Sequence, residues 1–168
     1  GVGCPGGPAV ERAAAQGQPS VPWPRPLLGS SEPHFSFAGL KSAVLRAHDA
    51  GTWRVEDIAA SFQQAAVDCL VDRTRRQLGD VEATALVVAG GVAANTAVRA
   101  ALESLAGDYR LPFSVPPQWL CTDNAAMIAW AGAERFAAGL TDPLDVAARP
   151  RWPLDPDAEK VRGAGVKA

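Results

Sequence analysis

Apolar and polar positions divide the chain into segments of clear periodicity. Residues 9–16, rich in Ala with Glu11 and Arg12, predict a short helix closed by Gly17. Residues 19–33, PSVPWPRPLLGSSEP, carry five prolines, whose fixed φ and missing N–H exclude a helix or a central strand. An extended connector over the surface is expected there. FSF at 35–37 predicts a short strand, and 38–48 a helix with Leu40, Val44 and Leu45 on one face. In the next helix Glu56 and Asp57 stand at the positive end of the dipole, Arg73, Arg75 and Arg76 at the negative end, and Gly79 supplies the stop. Along it Ile58, Phe62, Ala65, Ala66, Cys69 and Leu70 fall at helical spacing against a polar face of Gln63, Gln64, Asp68 and Asp72. One side is expected in the core and the other in water.

TALVVA at 84–89 is a continuous apolar run bounded by a glycine pair, as expected of a strand buried on both faces of a parallel sheet. A helix from Val92 to about Ala106, a second strand at 110–115 and a third long helix from Thr122 to about Ala138 follow. Strand, helix, strand, helix makes the class α/β. Gly132 inside the last helix costs about 1 kcal/mol relative to Ala, which points to close packing against a neighbour. From Pro143 on, with Arg149, Arg151 and Trp152 among prolines, a surface tail is expected.

The 168 residues suffice for one domain with a single core, and 48% apolar with 20% charged residues is an ordinary globular composition. A formal net charge of -2 provides no global field for a nucleic acid, so any such partner depends on local patches. Cys4, Cys69 and Cys121 are odd in number and lack CxxC spacing, which argues against a disulfide framework or zinc site and fits a reducing cytoplasm. No apolar run approaches the ~20 residues that cross a bilayer, and no basic-then-apolar signal opens the chain. Opening on Gly1 within GVGCPGGP, the chain reads as truncated at residue 1.

Four places could carry chemistry. The turn Ala89, Gly90, Gly91, Val92, Ala93, Ala94, Asn95 lies where a buried strand hands over to a helix. Its glycines and free helix-start N–H groups suit a phosphate or ribose, and Asn95 offers both a donor and an acceptor. A tight strand-to-helix turn accounts for the same residues, and GG without GxGxxG does not decide between the two. At Cys121, Thr122, Asp123 and Asn124, Thr122 or Asp123 caps the following helix, or Asp123 ligates a metal through oxygen. One carboxylate holds no metal unaided, and His34 and His48 have neither HxxxH nor ExxH spacing. The Pro5, Gly6, Gly7, Pro8 loop allows close approach of a substrate, although Pro-Gly turns are common. Lys41 could meet phosphate, although a solvated lysine is the commoner fate. Neither His is placed by sequence to activate Cys4 or Cys121, and Cys69 belongs to an apolar helix face.

PGGPAVE at 5–11, FSFAGLKSAV at 35–44, DIAASFQQAAVD at 57–68, AGGVAAN at 89–95, CTDNAAMIAWAG at 121–132 and RPRWPLD at 149–155 together resemble the TsaD family, once called glycoproteases. Six ordered segments cover nearly the whole chain, and RPRWPL resembles the bacterial branch. The resemblance implies an actin-like ATPase (ASKHA, ribonuclease H-like) fold, with residues 1–147 as an incomplete C-terminal part of the second domain, 148–168 as tail and the N-terminal domain absent. It implies transfer of threonylcarbamoyl from threonylcarbamoyl-AMP to N6 of adenosine 37 in tRNAs reading ANN codons, in the cytoplasm, with TsaB- and TsaE-type partner subunits. Residue by residue, Gly7 and Asn95 match contacts to the substrate adenylate, Gly90 and Gly91 the nucleotide-side turn, and Asp123 the carboxylate ligand of a divalent metal, usually iron. The resemblance raises Asp123 from cap to ligand.

Two departures accompany it. Ala38 stands where the family usually has Ser, and the HxxxH pair, the SGGHT-like loop and an upstream Asp are not in this sequence. The isolated part is therefore expected to be inactive. Two other readings remain at this stage, a non-catalytic scaffold of the modification complex and a small-molecule kinase of the same fold. A peptidase has no HExxH and no Ser/His/Asp set to work with.

Overall fold

A computed structural model describes residues 3, 5–32, 34–148 and 157. It divides into two compact units, Gly1–Asn124 and Ala125–Ala168. The first contains α1 (Gly6–Ala14), α2 (Ala38–Ala50), α3 (Val55–Asp80), β1 (Leu86–Val87), a tight helical turn (Gly91–Ala94), α4 (Thr96–Asp108), β2 (Phe113–Ser114) and a second short turn (Gln118–Leu120). The second contains α5 (Ala125–Ala137).

The 26-residue α3 is the spine of the first unit. It supplies Ile58, Phe62 and Ala65 to one apolar cluster with Val21, Trp23 and Leu40, and Ala59 and Ala60 to a second with Ala14. It supplies Val67, Leu70, Val71 and Leu78 to a third with Val98, Leu102 and Leu105 of α4. The expected helix with one wet side is therefore covered on several sides. Its supposed water face meets the proline-rich segment, which is not a mere surface connector. Val21 and Trp23 are buried there, the Val21 N–H donates to Ser61 Oγ at 2.9 Å, and Arg25 Nε donates to Asp68 Oδ2 at 2.9 Å. Arg73 is only 4% exposed and donates to the carbonyls of Leu27 and Glu32. It satisfies the strap's backbone rather than closing α3, which runs on through Gly79 to Asp80.

α1 starts at Gly6, three residues before the expected Ala9, behind an extended Pro5. Pro8 fits in its first turn, where an N–H has no intrahelical acceptor. FSF forms no strand. Phe35 and Phe37 are exposed in an irregular stretch directly before α2, and among the described residues the only paired strands are the two of the sheet at 86–87 and 113–114. In α2 Leu40 is fully buried, whereas Leu45, expected on the same face, is exposed.

β1 and β2 pair in parallel, Leu86 with Phe113 and Val87 with Ser114, and α4 is the crossover. The parallel arrangement follows expectation, but each strand is two residues long. Only one face is covered: Leu86, Val88 and Phe113 pack on the α4 cluster, while Val87 is 67% exposed. α5 begins after Thr122 and Asp123, and among the described residues a Cβ on Gly132 would meet nothing within 4 Å, so no close packing there explains that glycine. Cys4 and the RPRWPLD segment lie outside the described residues. Among those described, no helix is long and apolar enough to cross a membrane.

Candidate functional site

The first unit holds a cleft of about 590 Å³ between the start of α1, the middle of α3, the turn before α4 and the 118–122 loop. Gly6, Gly7, Pro8, Val10 and Glu11 form one wall, Phe62, Gln63 and Ala66 the floor, and Gly91, Val92, Ala94, Asn95 and Val98 the opposite wall. Gln118 and Thr122 complete it. Walls of this kind, apolar with a few polar groups, suit a small organic ligand. Two helical starts border the cleft. At α1 the Gly6 and Gly7 N–H groups lack intrahelical acceptors and carry partial positive charge, which favours an anionic group there, and Gly91 and Val92 open the four-residue turn on the opposite wall.

The backbone of the second wall depends on Gly90, whose φ of 87° and ψ of 175° fall in a region open essentially to glycine alone. Gly91 starts the tight turn and faces the cleft. Asn95 is the N-cap of α4 rather than a member of its first turn. Its Oδ1 accepts from the Val98 N–H at 3.0 Å, and its Nδ2 donates to Gln63 Oε1 at 2.9 Å. Both ends of the amide are thus held. Glu11 Oε1 accepts from the Thr96 N–H at 2.8 Å and from the Thr96 hydroxyl, tying the two walls together. Gln118 Nε2 donates to the Ala94 carbonyl at 3.0 Å.

Three separated stretches, PGGP, AGGVAAN and CTD, therefore meet at one cleft. A family model described as TsaD, tRNA N6-adenosine threonylcarbamoyltransferase, matches residues 1–130. The chain belongs to the TsaD family. Proteins named tRNA N6-adenosine threonylcarbamoyltransferase resemble it across its full length, from Sphingopyxis alaskensis at 73% identity, Novosphingobium aromaticivorans at 69% and Zymomonas mobilis at 61%. The chain spans about half the length of these curated relatives, 49%, 49% and 48% respectively.

Of the residues matched to the TsaD pattern, Gly7, Gly91 and Asn95 line the cleft, and Gly90 shapes its wall. Asp123 is exposed and lies outside the lining, next to Thr122, which is in it. Among the described residues no group of three or more His, Cys, Asp or Glu could hold a metal ion. The residues present do not make a metal site by themselves. Lys41, His34 and His48 are also absent from the cleft, and His48 Nδ1 lies 3.4 Å from Asp49 on α2. Cys69 is buried, and burial, followed by the Asp68 charge, pushes its thiol up. Cys121 is buried against Arg99 and the Pro116 and Pro117 carbonyls, at 3.1, 3.6 and 3.6 Å.

Sequence reasoning missed Gln63 and Glu11 as parts of this site. Gln63 reads as a solvated helix residue and Glu11 as a helix charge. Their roles depend on α1 and α4 meeting across α3, which no local pattern encodes.

Proposed function

We propose that this chain forms the adenylate-holding part of an enzyme that transfers threonylcarbamoyl from threonylcarbamoyl-AMP to N6 of adenosine 37 in tRNAs reading ANN codons. The observation that supports it is the convergence of Gly7, Gly91 and Asn95 on one cleft between two helical starts. In the transfer, the adenosine amine attacks the carbamoyl carbon. The new N–C bond forms as the C–O bond to phosphate breaks, AMP leaves with that electron pair, and the amine gives up a proton. The anhydride is already activated, so the principal demands are to hold the adenylate and align the amine. The Gly6 and Gly7 amides would face the phosphate, Gly90 and Gly91 would let the nucleotide approach the backbone, and Asn95 would fix it from a post braced by Gln63. No protein nucleophile is needed.

Asp123 is proposed as one ligand of a divalent metal, iron in the family reading, with the other ligands from an HxxxH pair outside this chain. The metal would polarise the activated group; the residues described here complete no such site. The parallel β1–α4–β2 unit, with its glycine turn after β1, supports assigning the ASKHA fold. A cytoplasmic location suits the cysteine pattern, and TsaB- and TsaE-type proteins are the proposed partners alongside tRNA.

The test is AMP binding and nucleoside mass spectrometry in cells dependent on the full-length gene. Gly7→Val is expected to weaken AMP binding at least tenfold and deplete threonylcarbamoyladenosine. Unchanged binding and undiminished modified nucleoside in that variant would remove the cleft from the reaction.

A further inference from the structure

The two loops at the far end of the cleft are joined through Arg99, four residues after the α4 N-cap. Its Nε donates to the Ala93 carbonyl in the turn that carries Gly91 and Asn95. One terminal nitrogen reaches the Pro116 carbonyl at 2.9 Å and Cys121 Sγ at 3.1 Å, at the two ends of the loop that carries Gln118 and leads into Thr122 and Asp123. Ala93 and Cys121 are buried, so these acceptors have little access to water as an alternative. The Cys121 thiol contacts the Pro116 and Pro117 carbonyls and closes the same loop on itself. Pro116 and Pro117 have no N–H with which to anchor the loop, which makes the carbonyl contacts its handle.

We infer that Arg99 is a positioning residue, a clamp that sets the spacing between the adenylate contacts around Gly91 and Asn95 and the Thr122–Asp123 segment. This rests on the function proposed above. A planar guanidinium presents donors in fixed directions, and here they serve two loops at once; a lysine has a single ammonium on a flexible stem. Gln118 provides a second link, to Ala94, but it lies on the exposed side and engages one carbonyl of the same turn. Arg99 is not itself one of the residues that line the cleft and, in this reading, does not touch the substrate, so the effect of its guanidinium passes through the loops it holds.

Arg99→Lys and Arg99→Ala in the full-length protein with its partner subunits separate this role from general stability. For Arg99→Lys the melting temperature is expected to stay within a few degrees, because charge and stem are kept. Amide exchange is expected to accelerate in residues 91–95 and 118–124 and to stay unchanged in α1 and α3. The turnover of folded enzyme is expected to fall ten- to a hundredfold, with KM for tRNA held, since a shift of about 1 Å at a site can cost that much. Unchanged exchange in the two loops, or full turnover with Lys in place, would overturn the clamp. A loss in Arg99→Ala that merely tracks the fraction unfolded, with Arg99→Lys normal, would overturn it as well. If the unaltered protein transfers nothing, the functional reading fails by itself, and loop exchange still decides whether Arg99 joins the two segments.

Discussion

Gly17 lies where the chain leaving α1 passes the first turn of α3. A Cβ built on it would sit 2.0 Å from the Glu56 carbonyl oxygen, 2.3 Å from its carbon and 2.8 Å from the Asp57 nitrogen. All three atoms are backbone, so no side chain can rotate away. Gly17→Ala must separate α1 from α3 by about 1 Å or more to reach even the shortest tolerable contact. Overpacking of this kind costs about 1–3 kcal/mol. The displacement also strains the Gln18 N–H to Asp57 Oδ1 hydrogen bond of 2.8 Å, worth about 1 kcal/mol, and opens the Ala14, Ala59, Ala60 cluster. Against this, alanine restricts the unfolded chain and returns about 0.4–1 kcal/mol. The expected net is about 2–3 kcal/mol of destabilisation, read as a fall of roughly 1–2 M in the urea midpoint at an unchanged slope. Gln18→Ala is the control, since its backbone N–H still donates to Asp57, and it should be near neutral. An unchanged or raised midpoint for Gly17→Ala would refute the close approach of α1 to α3.

Other substitutions probe different parts. Gly90→Ala forces a side chain into a backbone state near φ 87° and should cost about 1–3 kcal/mol in a thermal melt, whereas Gly7→Ala, with nothing within 4 Å of its Cβ, should melt normally and yet weaken AMP binding measured by calorimetry. Asp72 is subject to burial, which raises its pKa, but hydrogen bonds from Arg76 and the Gly29 N–H and the charges of Arg76 and Arg73 bring it below the usual carboxylate value. Its folded pKa being the lower one, it contributes stability that is present above about pH 4 and lost as pH falls through the folded value; Asp72→Asn should remove that part of the acid dependence in denaturation curves. Cys69, buried and with its thiol pushed up, should react with iodoacetamide at neutral pH only on unfolding, and rapid alkylation of the native protein would contradict its place in the core.

Helix existence was legible because it follows from periodicity: α2, α3, α4 and α5 all occur where spacing predicts them. Boundaries moved where backbone chemistry intervened. Asn95 became a cap because its short amide reaches the Val98 N–H, and a tight turn precedes α4 instead of its first turn. The first strand was recognised by its continuous apolar run, but the prediction of two covered faces failed at Val87, since the pattern specifies an apolar strand without saying what lies on each side. At the site, the glycine and Asn motifs could be read locally. Gln63 and Arg99 could not, because their significance comes from partners 32 and 22 residues away in Asn95 and Cys121.

The largest misreading, the polar face of α3, has a physical cause that bears on the cleft. A proline-rich segment cannot pair as a strand, yet its carbonyls and remaining N–H groups must be satisfied when Val21 and Trp23 go into the core. Ser61, Asp72 and Arg73 of α3 meet that demand, accepting from the Val21 and Gly29 N–H groups and donating to the Leu27 and Glu32 carbonyls, while Asp68 accepts from the Arg25 side chain. Polar residues on a helix face thus indicate either water or a covering chain rich in unpaired backbone groups, and five prolines nearby favour the chain. The same helix presents Phe62, Gln63 and Ala66 to the cleft. The strap therefore fixes the floor of the site from behind. Trp23 and Arg73, neither of which lines the cleft, hold α3 from the other side and so keep Gln63 where it can brace Asn95.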